Sequence, residues 1–332
     1  MTKDYWLPPR DYVGYGLEPP AVLWPGNKKV AVSFVLNYEE GAERTPWNGD
    51  DQSCNFLHEL HYSRPATSGG KRDGLVEDMI ACHGNRWVMH GTNLPEAKAH
   101  IHKSFDRLQA TSGLKDVPTG WYAGGMPNHT KIARAEVHRE RGVPLLYCSD
   151  TYTSDTPYWV QDPYAAVHGG PDEGMLMCVL SHPYTNGVLP HKPDRLSAGI
   201  VFSPKRTFPR CLRFRHQIPY SLVTNDHRFF VAQGSGVSKP DDWLDMLKAE
   251  FDQLCEEGAA GAPKMMTVAM HNRFVGKPGR IMALKRFMAY VATKPDAWVC
   301  TRSEIAAHWR EHYPYEKVGP TDRLHPSVDA SE

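Results

Sequence analysis

The sequence lacks three features that would place it in common functional classes. Its 38 basic and 38 acidic residues cancel, so there is no charge excess that would attract nucleic acid or an anionic membrane. Its seven cysteines include no CxxC pair, which favours reduced thiols over a disulfide framework or a structural zinc site. No stretch approaches about 18 apolar residues, and the first residues lack the basic start and apolar run of a secretory signal. We therefore expect a cytoplasmic protein that acts on a small molecule and binds neither nucleic acid nor membrane.

What the sequence does contain is an alternation of strand and helix patterns. Residues 29–37 form a β-branched, nearly continuous apolar run, which is typical of a strand buried on both faces. A helix is predicted over 240–257, ended by Gly258, and a buried strand over 264–270 leads to His271. Further helices are predicted over 95–108, 130–141, 278–293 and from 303, and further strands over 118–122, 144–149 and 298–300. Repeated βα units favour an α/β fold with a mainly parallel sheet or barrel.

Three segments differ from this alternating pattern. Residues 1–28 are rich in aromatic residues and proline and are predicted to form an arm over the main domain at 29–313; such arms often support oligomer contacts. Residues 178–217 contain seven Lys or Arg against one acidic residue and follow neither helix nor strand period. We interpret them as an insertion, with a retained intron translated in frame as one origin and an ordinary long surface loop as the alternative. Residues 314–332 are predicted to be a flexible tail.

Polar residues follow two of the predicted buried strands. Glu39 and Glu40 come directly after the first one, at the strand end where α/β barrels place their chemistry. Two close carboxylates titrate at different pH, which provides a general base beside a group that stays ionised. His271 ends another strand and is a candidate general acid toward a leaving nitrogen. The alternatives are a solvated pair of glutamates at a loop edge and a helix-capping or surface histidine.

A second candidate cluster lies in the segment ACHGNRW. His83, Arg86 and Trp87 place an imidazole, a permanent cation and an aromatic ring within five residues. Such a group can titrate, hold an anion and form a pocket wall. A histidine with a purely structural role is the alternative.

Six motifs in order resemble the polysaccharide deacetylase (NodB, carbohydrate esterase family 4) superfamily, and in particular its PuuE-type allantoinase branch. The motifs are NYEEG, CHGNRW, GWYAGG, SDTYTSDTPYW, IPYSLVTNDHRF and APKMMTVAMHNR. The resemblance spans most of the chain between Pro9 and Trp309. It implies a distorted (β/α) barrel of about seven strands, an N-terminal arm and often a homo-oligomer. It also implies an enzyme that hydrolyses carbon–nitrogen bonds other than peptide bonds.

The resemblance also bears on metal binding. In metal-dependent members the second motif is HxxxH, whose first histidine matches His83 and whose second is replaced by Trp87. A catalytic zinc normally has three protein ligands, and this set is incomplete. The resemblance therefore implies a site without a cofactor, although Glu40 and His83 could still hold zinc.

Roles for individual residues follow from the resemblance. It implies that Glu39 is the base that activates water, with Glu40 as its partner, and that His83 and His271 manage protons at the carbonyl and the leaving nitrogen. Arg86 and Arg273 would steady a negatively charged intermediate or the polar edges of a ureide. The other implied substrate-binding residues are Trp87, Trp121, Tyr122, Asp150, Asp155, Tyr158, Trp159, Asn225 and Asp226. For the aromatic residues among them, core packing is the alternative.

The chain departs from the family pattern in two places. Gly125 stands where the GWYxGR motif of the family has an arginine, and residues 68–78 replace about one βα unit. Hydrolysis of a cyclic amide or ureide, with allantoin as the typical substrate, is the leading hypothesis. Deacetylation of chitin or N-acetylglucosamine polymers is the first alternative, and an inactive or mis-spliced product is the second.

Overall fold

The computed structural model describes residues 20–37, 49–50, 93–112, 119–122, 130–149, 156–160, 162–177, 224–230 and 239–315. The strands are β1 (Val30–Asn37), β2 (Gly120–Trp121), β3 (Tyr147–Cys148), β4 (Tyr158–Val160), β5 (Met175–Met177), β6 (Lys264–His271) and β7 (Ala297–Val299). The helices are α1 (Leu94–Ser112), α2 (Thr130–Arg141), α3 (Pro163–His168), α4 (Asp226–Phe230), α5 (Pro240–Ala259), α6 (Asn272–Val275), α7 (Pro278–Ala292) and α8 (Arg302–His312).

The strands form two sheets. One has the order β6-β1-β7 and is entirely parallel. The other has the order β2-β3-β5-β4, in which only β4 runs antiparallel to its neighbour. The predicted α/β class with mainly parallel sheets is confirmed. No helix among the described residues is long and apolar enough to cross a bilayer.

The pairing of β1 with β6 positions the candidate site. The two strands match residue for residue, from Val30 opposite Lys264 to Asn37 opposite His271. Since successive side chains of a strand point to opposite faces, Val32 and its like-facing neighbours pack in one core cluster with α5 and α7. Asn37 and His271 share the other face and lie side by side at the carboxyl ends of both strands.

The helix before β6 shows one correction. The prediction that Gly258 ends this helix is wrong, because α5 continues to Ala259. A β-carbon at position 258 would lie 2.7 Å from the carbonyl oxygen of Lys29. Glycine is required there by the close approach of α5 to the chain entering β1. The positive φ of 101° that accompanies the end of the helix occurs at Gly261.

Both ends of the described chain pack against the core. The Trp24 indole, in the predicted arm, donates a hydrogen bond to the carbonyl oxygen of Lys264 at 2.9 Å. At the other end, the Tyr315 ring lies 5.7 Å from that of Trp159, and its hydroxyl donates to Asp172 at 3.1 Å. Tyr315 is therefore packed, and the predicted tail beyond it lies outside the described residues. The proposed insertion at 178–217 and the shortened segment at 68–78 lie outside the described residues.

Candidate active site

A buried pair formed by Asp226 and His271 is the centre of the candidate site. Asp226 Oδ1 lies 2.7 Å from His271 Nδ1, and Oδ2 accepts the backbone N–H of His271 at 2.8 Å. Asp226 is 0% exposed and His271 is 2% exposed. An ionised carboxylate only accepts hydrogen bonds, so His271 Nδ1 carries a proton. The pairing thus leaves Nε2 as the ring atom that can accept or deliver a proton.

Asn37 occupies the space in front of that second ring nitrogen. Its Nδ2 lies 3.3 Å from His271 Nε2, and the two residues are register partners at the ends of β1 and β6. The contact is long for a hydrogen bond, so a substrate atom could replace it at low cost. Sequence reasoning did not single out Asn37 as a site residue, although its position as the last residue of the buried run could have indicated it.

Hydrogen bonds of Thr224 and Asn225 hold the turn that carries Asp226 in place. Asn225 Oδ1 accepts the backbone N–H of His227 at 2.8 Å, which caps the start of α4. Thr224 donates its hydroxyl proton to the Thr267 carbonyl oxygen at 2.5 Å. Asn225 and Asp226 were predicted to bind substrate. In the structure Asn225 caps α4 and Asp226 orients His271, and a contact of either residue with substrate stays a prediction.

A cleft of about 590 Å³ borders the carboxyl half of β1. Its size is that of a small-molecule pocket. Its lining comprises residues 33–37, 120–122, 147, 299–302 and 304. Asn37 belongs to this lining, so the cleft reaches the residue that contacts His271. Arg302, which is 7% exposed, lines it as well; its place at the start of α8, three residues after β7, could have drawn attention to it in the sequence.

Trp121 and Tyr122 are adjacent in the chain but differ in surroundings. Trp121 packs with Phe105 in the cluster beneath α1 and α2, and its indole donates to His138 Nε2 at 2.6 Å. Tyr122 instead packs against Val35 of β1 and Ala269 of β6. The alternation of side chains along an extended segment explains the difference. Trp121 thus packs in a core cluster and also borders the cleft, whereas Tyr122 lies on the side of β1 and β6 that carries Asn37 and His271.

Tyr158 and Trp159 are buried in two different core clusters. Tyr158 packs with Cys148, Met175 and Met177. Trp159 packs with Leu176 and others, and its indole donates to the Tyr313 carbonyl oxygen at 2.7 Å. These contacts fit the packing alternative rather than a pocket wall.

The remaining predicted site residues are only partly covered by the structure. Arg273 is half-buried on α6, two residues after His271. The residues that lie outside the described part of the chain are Glu39, Glu40, His83, Arg86, Trp87, Asp150 and Asp155. Their roles stay predictions.

The described side chains around His271 do not form a ligand set for a catalytic metal ion. Within the described residues, no group of three or more His, Cys, Asp or Glu side chains is arranged to hold one. His271 Nδ1 bonds to Asp226 Oδ1, and Asp226 Oδ2 accepts the backbone N–H of His271. In the sequence, an indole at Trp87 replaces the second histidine ligand. We therefore derive no step through a metal ion.

The fold and the site together define a class of protein. A buried aspartate–histidine pair at the carboxyl ends of parallel strands, bordered by a cleft of small-molecule size, is typical of α/β enzymes that use acid–base chemistry.

Comparisons with known proteins place the chain within this class. It is 29% identical to a Schizosaccharomyces pombe protein named as a polysaccharide deacetylase, over 88% of this chain and 94% of that protein. A Pseudomonas aeruginosa PAO1 crystal structure named as a polysaccharide deacetylase aligns with a TM-score of 0.66 at 29% identity, covering 92% of this chain and 99% of that one. The crystal structure of PuuE allantoinase aligns with a TM-score of 0.66 at 30% identity, with the same coverage. No protein-family model matches.

The chain belongs to the polysaccharide deacetylase (NodB) superfamily, and PuuE allantoinase is among its similar structures. The predicted resemblance is confirmed. The chain is thus assigned to the hydrolases that act on carbon–nitrogen bonds other than peptide bonds.

Proposed function

We propose that this protein hydrolyses a cyclic amide or ureide, with allantoin as the representative substrate. The observation that carries the proposal is the Asp226–His271 pair, whose second ring nitrogen, His271 Nε2, lies 3.3 Å from Asn37 Nδ2 at the end of β1. The predicted base Glu39 follows Asn37 by two residues. The 30% identity to PuuE allantoinase supports the choice of a ureide.

The proposed reaction begins with Glu39. As a general base it takes a proton from water while the water oxygen forms a bond to the ring carbonyl carbon, and Glu40 is its ionised partner. His83 assists proton movement at the carbonyl. Arg86 and Arg273 steady the negative oxygen of the tetrahedral intermediate.

The second half of the reaction uses His271. In its protonated form it delivers the Nε2 proton to the leaving nitrogen as the carbon–nitrogen bond breaks. Asp226 holds Nδ1–H throughout and stabilises the charged ring before this transfer. The proton that Glu39 has gained balances the one that His271 gives, so the site is restored when water carries a proton from one to the other.

Deacetylation of N-acetylglucosamine polymers, including chitin, is the second candidate function. It is favoured by the names of two relatives, from Schizosaccharomyces pombe and Pseudomonas aeruginosa. The incomplete set of Glu40, His83 and Trp87 counts against it, because the metal-dependent pattern needs a second histidine. An inactive or mis-spliced product is the third candidate, motivated by Gly125 and the shortened segment at 68–78.

We also propose a fold, an assembly and a cellular location for the protein that carries this site. We take the two sheets as parts of one distorted (β/α) barrel of about seven strands, which lacks about one βα unit and carries the insertion at 178–217. Support comes from Tyr122, which joins the second sheet to Val35 and Ala269 of the first. The arm at residues 1–28 would serve a homo-oligomer. The protein would act in the cytoplasm on a small molecule, without a cofactor, nucleic acid or membrane.

A substrate screen with and without a chelator tests this function. The panel contains allantoin, related cyclic imides and acetylated glucosamine oligomers. We expect ring opening of a ureide that survives exhaustive chelation. Turnover of the sugar oligomers, lost on chelation and restored by zinc, would establish the deacetylase instead. A chain that melts cooperatively but turns over nothing would support the inactive product.

A further inference from the structure

We propose that Thr224 is a positioning residue for the Asp226–His271 pair. The expected effect of Thr224 on catalysis rests on the proposed function. Its effect on the geometry of the Asp226–His271 pair can be measured without any substrate. Thr224 is 0% exposed and begins the short turn that places Asp226 at the start of α4. Sequence reasoning gave it no role.

The contacts of Thr224 tie this turn to two separate elements. Its hydroxyl donates to the Thr267 carbonyl oxygen of β6 at 2.5 Å. Its own carbonyl oxygen accepts the indole N–H of Trp243, from α5, at 3.3 Å. All three residues are 0% exposed, so water cannot readily replace either bond.

The attachment points lie on the strand that carries the histidine. Thr267 precedes His271 by four residues on β6. Asp226 bonds to His271 at the backbone N–H and at Nδ1, whereas Thr224 bonds to Thr267 lower on the same strand. Thr224 and Asp226 thus bond to β6 at two positions that are four residues apart. The carboxylate of Asp226 is fixed relative to the imidazole because the backbone behind it cannot slide along β6.

Losing the Thr224 hydroxyl should therefore loosen the pair without touching either member. Thr224→Val keeps the shape of the side chain but removes the donor, and the Thr267 carbonyl loses a buried bond. Thr224→Ser keeps the donor. A matched control is Ser104→Ala, which removes another buried hydroxyl-to-carbonyl bond, from Ser104 to His100 at 2.9 Å on α1.

The direct test is the proton resonance of His271 Nδ1–H in protein labelled with ¹⁵N-histidine, assigned by its loss in His271→Asn. We expect this signal in the parent, in Thr224→Ser and in Ser104→Ala, and expect exchange to broaden it beyond detection in folded Thr224→Val. An unchanged signal in Thr224→Val would overturn the proposal. If that variant does not fold, Thr224→Cys, whose thiol is a weak donor, takes its place with the same two outcomes.

Kinetics on a substrate that the protein turns over give the second readout. Thr224→Val should lower kcat by about tenfold and change KM by no more than about twofold. In an Asp226→Asn background the same substitution should add no further loss, because the two residues act through one geometry. Additive losses would overturn the proposal. If no substrate is turned over, the proposed function fails while the resonance experiment still decides the role of Thr224.

Discussion

Two buried histidines of this protein have opposite surroundings. His271 ends β6 and is 2% exposed, and His138 lies in α2 and is 1% exposed. Both rings have a partner at each nitrogen. For His271 these are the Asp226 carboxylate and the Asn37 amide. For His138 they are the Val143 carbonyl oxygen at 3.1 Å and the Trp121 indole N–H at 2.6 Å.

The comparison shows that its hydrogen-bond partners, together with burial, decide what a buried histidine can do. An indole N–H can only donate, so His138 Nε2 must accept and the ring is neutral. Burial lowers the pKa of His138 to about 4. His271 instead faces the Asp226 carboxylate, an acceptor that can stabilise the charge of an imidazole while a proton is transferred. His271 is thus equipped for proton transfer, and His138 for holding Trp121 in place.

The largest effect should come from removing Glu39, the base that is proposed to activate water. Glu39→Gln keeps the size of the side chain but cannot take a proton from water, so we expect kcat to fall by at least about a thousandfold. The thermal midpoint should stay close to that of the parent. Steady-state kinetics on the substrate found in the screen give the measurement, and an unchanged rate would remove Glu39 from the mechanism.

Replacing each histidine in turn tests the comparison directly. His271→Asn should lower kcat by roughly a thousandfold, because an asparagine amide cannot supply the proton that the imidazole is proposed to give. His138→Gln should leave kcat within about twofold of the parent but lower the free energy of unfolding by about 1–3 kcal/mol. Paired kinetic and denaturation measurements check both. Equal losses of kcat in the two folded variants would contradict the assignment of proton transfer to His271 and of a structural role to His138.

The partner of His271 should matter somewhat less than the ring itself. Asp226→Asn keeps the shape but removes the negative charge, and we expect kcat to fall on the order of a hundredfold. Its control is Asp162→Asn, since Asp162 is another buried carboxylate that caps α3 and pairs with Arg139. That substitution should reduce stability and spare kcat. A fully active Asp226→Asn enzyme would show that His271 needs no charged partner.

The smallest effect concerns stability at acid pH. Because the folded pKa of His138 is about 4 and the ordinary value is 6.5, the unfolded chain binds a proton first as the pH falls through this window. The free energy of unfolding should therefore decrease from pH 6.5 to about 4, by up to about 3 kcal/mol from this group. In His138→Gln that contribution is absent. Denaturant melts of both proteins across the window would show it as a difference in slope, and parallel curves would contradict it.

Prediction from the sequence succeeded where structure depends on local pattern. The helix at Thr130–Arg141 has the predicted bounds, and the strand ending at His271 is where the apolar run places it. It failed at Gly258, where a contact with Lys29 rather than the local turn selects glycine. Nor could any periodicity in their short segments reveal that Trp121 and Trp159 pack in core clusters.

The candidate site divides in the same way. The motif order alone was enough to identify the superfamily and to mark His271 and Asp226. It could not reveal that these two residues bond to each other, because 45 residues separate them in the chain. Nor could it reveal that the ring of His138 lies between the Trp121 indole and the Val143 carbonyl oxygen.

By itself, then, the sequence determined the order and type of the elements and the family, because these follow from local periodicity and from motifs read along the chain. Only the tertiary structure decided which polar groups share a buried space. It brings Asp226 to His271 and Trp121 to His138. The physical reason is that the protonation of a buried imidazole depends on the charge and hydrogen bonding of its nearest neighbours, which are set by chain segments distant in sequence.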